Sequence, residues 1–236
     1  MTDISTDRAK DAPATTIAEI ALADNPARWE ALGFIASDGV VQLGGVRVRL
    51  AGDDAGRGAR RGILEWSLGG ITSRELDGLP TTQSSLPAPP AAPEHPNGVL
   101  AIDHVVVMSP ALDRSVQALQ AAGLDLRRIR EQPTPAGAPR QAFFRLGEVI
   151  LEVAQEPEQV LEKRPDGTGG PARFWGLALL TGDLDRAVAR MAEHVSEIRP
   201  AVQPGRRIAT LRRSAGLAVP VALMSRAPTN STGNSE

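Results

Sequence analysis

The sequence predicts an α+β protein in which repeated βαβββ modules pair into curved mixed sheets around a cleft. Three observations predict it. First, the order strand, helix, strand, strand, strand recurs, beginning near Ile17, Val99 and Phe174. Second, the first two copies can be laid side by side: IAEIAL against IDHVVV, ALGF against AAGL, and LGGVRVRLAG against LGEVILEVAQ without a gap. Third, GILEWSL resembles RFWGLAL, the opening strand of the last copy, as if a fourth unit had lost its end. Units this short cannot bury a sheet face alone, so copies are expected to pair edge to edge. Two half-sheets joined in this way make a concave surface of the kind small ligands occupy.

Each element has a local reason. Ile17 to Leu22 alternates as a short strand. A helix follows from Asn25 to Gly33, with Asn25 as cap, Pro26 in the first turn and Gly33 at the end. Val40 to Leu43 and Val46 to Leu50 are strands joined by the Gly44-Gly45 turn. Asp53 to Arg61 is a charged loop, and Gly62 to Ile71 is a further strand. Proline density from Leu79 to Pro96 marks a linker. Val99 to Met108 is then a buried strand, and Ser109 with Pro110 opens a helix whose apolar stripe is Leu112, Val116, Leu119 and Ala122. Leu124 to Ile129, Gln141 to Leu146 and Val149 to Val153 are strands, and Glu156 to Gly170 is a polar loop. The pattern restarts with the strand Phe174 to Leu180. A helix through Leu184, Val188 and Met191 follows, then strands at 198–202, 207–211 and 218–224. The expected organisation is a disordered N-terminus (1–14), a degenerate module plus an extra strand (15–78), a Pro-rich linker (79–97), a paired domain (98–225) and a disordered tail (226–236).

Composition narrows the function classes. The chain has 236 residues, 42% of them hydrophobic, which is ample for a core. A net charge of −2 gives no electrostatic case for nucleic acid or an anionic membrane. Zero cysteines exclude disulfides, thiolate zinc sites and cysteine nucleophiles. The N-terminus lacks a basic region followed by an apolar run, and no apolar stretch approaches the roughly 20 residues of a membrane span. The expectation is a soluble cytoplasmic protein with a small-molecule ligand. A second copy of the chain is a further candidate partner, because paired modules can be supplied within or between chains.

The run IDHVVVMSPALDRSVQALQAAGL, with His104 on its strand, and LGEVILEV, with Glu152 inside it, resemble the vicinal oxygen chelate superfamily of glyoxalases, bleomycin-resistance proteins and extradiol dioxygenases. The resemblance is carried mostly by residues 98–225. It implies that His104 and Glu152 are the two metal ligands of one module, suited to Zn²⁺, Ni²⁺, Mn²⁺ or Fe²⁺. A complete site takes ligands from two modules. Here the position matching His104 falls near Gly176, and that matching Glu152 falls at Val221 or Ala222. In the N-terminal copy the matching residues are Glu19 and Arg49. Glu19 can ligate, whereas Arg49 would put a fixed positive charge beside the metal.

Two functions follow from the resemblance. One is a metal-assisted lyase, isomerase or dioxygenase with a degenerate metal site. The other is a metal-free small-molecule binding protein of the bleomycin-resistance type. Structural roles stand beside both. His104 can be a core histidine bonded to a backbone carbonyl, and Glu152 can pair with Arg145 or Arg173. His95 is expected in solvent, and His194 at a helix end. Arg206, Arg207, Arg212 and Arg213 are expected at a solvated strand edge, where alternation also allows one or two of them to line the cleft; Trp175 and Phe143 or Phe144 can stack on a ligand or pack in the core.

Overall fold

A computed structural model describes residues 14–52, 62–85, 89, 91–135 and 137–227. The expected loop at 53–61, most of the N-terminal segment and most of the tail lie outside the described residues. The first module comprises β1 (Thr16–Leu22), α1 (Pro26–Ala31), β2 (Ala36–Ser37), β3 (Val40–Leu43) and β4 (Val46–Leu50), followed by β5 (Ile63–Gly69) and β6 (Thr81–Gln83). The second comprises β7 (Val99–Ser109), α2 (Leu112–Ala121), β8 (Asp125–Arg130), β9 (Gln141–Leu146) and β10 (Val149–Gln155). A short α3 (Glu158–Leu161) precedes the third: β11 (Arg173–Thr181), α4 (Leu184–Met191), β12 (Arg199–Pro200), β13 (Arg207–Thr210) and β14 (Val221–Met224).

The strands form a six-stranded sheet ordered β2-β3-β4-β1-β5-β6 and an eight-stranded sheet ordered β12-β13-β14-β11-β7-β10-β9-β8. Each is built about a pseudo-twofold axis. In the larger sheet β7 and β11 run antiparallel, with Val105 opposite Leu177 at the centre. In the smaller sheet β1 and β5 do the same, with Ile20 opposite Trp66. The last strand of each module then lies parallel to its first: β4 on β1, β10 on β7, β14 on β11 and β6 on β5. The same parallel closure thus occurs four times among the described strands, once with β6 on β5, where the sequence suggested a unit that had lost its end.

That last strand corrects the sequence reading of 79–97 as a linker. Thr81–Gln83 precedes the densest prolines and pairs at a sheet edge, where one side of the backbone needs no partner. His95, expected in solvent, is also corrected: it is only 4% exposed. Its Nδ1 accepts from the Ile35 N–H at 3.1 Å, so Nε2–H donates to the Gln42 carbonyl at 2.9 Å. A third correction concerns α2. The helix begins at Leu112, and its cap position is Ala111. Ser109 stays in β7, where its hydroxyl accepts from the Ala111 N–H and meets Ser115 Oγ at 2.6 Å. In α4 the cap is Asp183, whose carboxylate accepts from the Arg186 N–H.

The two sheets share one hydrophobic core. Trp66 meets Phe174 edge to face at 5.1 Å between ring centroids. The β3–β4 turn presses on β7 so closely that a Cβ on Gly44 would lie 2.9 Å from the Ala101 Cβ. Gly44 also has φ +56, a conformation that favours glycine.

One irregularity matters for function. Each of the four opening strands skips a residue at one equivalent place in its antiparallel pairing: Ala18, Leu64, Asp103 and Trp175. These are β-bulges at equivalent positions. A bulge breaks strict alternation and re-aims side chains.

Candidate functional site

His104 lies on β7 and Glu152 on the neighbouring parallel strand β10. His104 is opposite Ile150 and Glu152 is opposite Val106, so the two side chains are diagonal neighbours on one sheet face. Their closest atoms, His104 Nε2 and Glu152 Oε2, are 3.7 Å apart. Both side chains are largely shielded, at 13% and 17% exposure.

The Asp103 bulge brings the preceding residue to the same place. Asp103 Oδ2 accepts from His104 Nδ1 at 2.8 Å, not the backbone carbonyl that the structural reading of His104 anticipated. Arg206 clamps Asp103 from the other side, Nη2 to Oδ1 at 2.6 Å and Nη1 to Oδ2 at 3.2 Å, and its Nε donates to the Ser225 carbonyl. Burial pushes the Asp103 carboxyl up, but hydrogen bonds from His104 and Arg206, with the Arg206 charge, outweigh it and hold it below the usual carboxylate value. Asp103 therefore orients the imidazole and leaves Nε2 facing the pocket. Glu152 is held through Oε1 by the Gln141 side-chain amide. Neither arginine expected to pair with Glu152 does so. Arg145 donates to the Gly147 carbonyl and Arg173 pairs with Glu156, whose side chain is fully buried.

These residues open into a pocket of about 400 Å³ whose far wall carries Arg127, Arg128, Phe143 and Arg145. Of the arginines that the sequence singled out for the cleft, Arg206 lines this pocket. Arg207 is drawn away to Asp185, with Nη2 and Oδ2 2.6 Å apart. Trp175 is 50% exposed and does not line this pocket.

The register settles what occupies the equivalent positions elsewhere. In the third module they are Gly176 and Ala222. Gly176 is more than a missing ligand: a Cβ there would lie 2.6 Å from the Pro220 carbonyl oxygen. In the smaller sheet they are Glu19, Arg49, Glu65 and Thr82. Arg49 donates to Glu19 at 2.9 Å and to Glu65 at 3.0 Å, so a guanidinium lies between the two carboxylates. The hydrogen bond that Arg49 donates to Glu19 is the main reason that the Arg49 pKa is raised. Glu65 was not singled out from the sequence, because its equivalence to His104 depends on the register. Among the described residues, no group of three His, Cys, Asp or Glu side chains is arranged to hold a metal ion.

The sequence matches no protein-family model and no curated protein. Solved structures do match. A xylose isomerase-like TIM barrel/4-hydroxyphenylpyruvate dioxygenase fusion protein superposes on 95% of this chain with a TM-score of 0.59 at 12% identity, and this chain spans about half of it, 51%. Methylmalonyl-CoA epimerase from Mycobacterium tuberculosis covers 56% of this chain, and 91% of its own length, with a TM-score of 0.45 at 18% identity. The likeness to the fusion protein is one of fold, and the α+β architecture of two mixed sheets agrees with the one that the sequence resemblance implied. Among the described residues, no helix is long and apolar enough to cross a membrane.

Proposed function

We propose that the larger sheet binds a small oxygen-rich molecule in the pocket beside β7 and β10, and that His104 and Glu152 hold a divalent cation to which that molecule attaches. One observation carries this reading. With Nδ1–H given to Asp103, the neutral imidazole presents a lone pair at Nε2 to a carboxylate oxygen 3.7 Å away. Two facing acceptors are reconciled by a cation between them. Ligand bonds of roughly 2.0–2.2 Å to nitrogen and oxygen place adjacent donor atoms about 3 Å apart, which needs only a small side-chain rotation. The pairing also fits: Arg206 is matched with Asp103, and among the described residues Glu152 pairs with no arginine or lysine. A bound ion would act as a Lewis acid on a developing oxyanion, the chemistry of a metal-assisted lyase, isomerase or dioxygenase. The residues around it orient His104 through Asp103, fix Glu152 through Gln141 and leave the remaining coordination positions to water and ligand.

A second reading has its own support. Gly176 and Ala222 supply no ligands, which favours a metal-free binding protein in which a proton on His104 Nε2 replaces the metal. Titration with Zn²⁺, Mn²⁺, Ni²⁺ and Fe²⁺ separates the two. The first reading expects one ion per chain, lost in His104→Ala and Glu152→Ala and weakened about tenfold or more in Asp103→Asn. No stoichiometric uptake of any of the four ions would leave the metal-free reading standing.

A further inference from the structure

We propose that Arg128, assisted by Arg127, is an anion-binding subsite, so that the ligand of this pocket is an organic acid with a carboxylate or phosphate remote from His104 and Glu152. The inference rests on the ligand site proposed above and adds the class of molecule it takes.

The geometry repeats the device seen at Asp103. Leu126 is opposite Phe144 and Arg128 is opposite Phe143, so Arg127 is an unpaired residue in β8. This second bulge allows two consecutive arginines, which strict alternation would send to opposite faces, to line one pocket. Two bulges on two strands thus aim Asp103 with His104, and Arg127 with Arg128, into the same space.

The register also sets the separation. Val106, Glu152, Phe143 and Arg128 form one row across β7, β10, β9 and β8. Arg128 is two strands from Glu152, roughly 10 Å between backbones. Between them lies Phe143, and the Arg128 guanidinium stands over its ring with the carbon 5.0 Å from the centroid.

Arg128 differs from the other cations of the pocket in what holds it. Arg206 is committed to Asp103 and Ser225, and Arg145 to Gly147 and Glu148. Arg127 pairs with Asp125 at 3.0 Å, but both side chains are about 60% exposed, and such a pair is weak. Among the described residues Arg128 has no carboxylate partner; its contact is the face of Phe143. A guanidinium positioned by an aromatic face keeps its N–H fork for an incoming carboxylate or phosphate.

The test uses the whole chain with inorganic phosphate and malonate as probes, followed by calorimetry or amide chemical shifts. Both or either should bind the wild type. Arg128→Gln should weaken binding by about tenfold, Arg128→Lys by less because charge survives without the fork, and Arg127→Gln by less still. Binding of phosphate alone or of malonate alone identifies which anionic group the subsite prefers. Anion binding is measured in chelator-treated, metal-free buffer and cation uptake in a separate titration without either anion, so failure of the metal reading does not imitate failure here. Equal anion affinity in wild type and Arg128→Gln, or no binding of either anion by the wild type, overturns the proposal.

Discussion

At the scale of single residues, three side chains have consequences that can be measured. His95 satisfies two backbone groups of the N-terminal module, the Ile35 N–H just before β2 and the Gln42 C=O in β3. Replacing it with leucine keeps bulk but leaves both unpaired, and urea denaturation should show a loss of about 1–3 kcal/mol. Gly176→His, the substitution that would restore a second histidine, should not restore a metal site. Its Cβ has no room beside the Pro220 carbonyl, so a lower melting temperature is expected in place of added metal affinity. Asp103 governs the acid side of the stability profile. Its folded-state pKa lies below the unfolded value of about 3.9, so its contribution is complete above that value and is lost as pH falls through the folded one. The stability gap between wild type and Asp103→Asn should therefore narrow below about pH 4, as read from denaturation midpoints across that range. His104 and Glu152 were legible because each is a polar residue in an apolar strand at matching positions of a repeat. Asp103 and Arg128 were not legible: alternation puts neighbours on opposite faces, and nothing local announces a bulge.

At the scale of elements, periodicity located most strands and helices, while their ends were decided by contacts. Ser109-Pro110 reads as a helix start, yet the Ser109 hydroxyl reaches Ser115 across the first turn and keeps Ser109 in β7. α4 instead has a true side-chain cap, so Asp183→Ala should cost about 1 kcal/mol, measured by chemical denaturation. Thr81–Gln83 shows the converse. Nothing in TTQ predicts a strand, and it becomes one because β5 offers a free edge on the side where β14 joins β11 in the larger sheet. The four bulges belong to this scale as well. They recur at one place in every unit, whatever residue occupies it, so the backbone irregularity is a property of the module and the chemistry is a property of the occupant.

At the scale of the molecule, one pseudo-symmetric plan has been used twice with opposite electrostatics. The larger sheet places His104 and Glu152 side by side, 3.7 Å apart at their closest atoms, facing a pocket. The smaller sheet places Glu19 and Glu65 around Arg49, so its positive charge comes from its own chain. Ion pairs also brace the larger sheet. Glu156, fully buried, accepts from Arg164 and Arg173; in Glu156→Ala Arg164 keeps Asp166 and the half-exposed Arg173 loses its carboxylate. A loss of about 1–2 kcal/mol is expected in the denaturation free energy, with pocket anion binding retained because Glu156 does not line the pocket.

The sequence by itself determined most of the strands and helices, their recurring order and the stretch that carries His104 and Glu152, because apolar period and turn chemistry are local. Tertiary structure decided the rest. It alone pairs β5 with β1 and reveals Glu65 as the counterpart of His104, closes Gly176 against Pro220, and turns Asp103 and Arg127 into the pocket through bulges. Those features depend on which strand lies next to which and in what register, and register is a relation between distant segments that no local pattern carries.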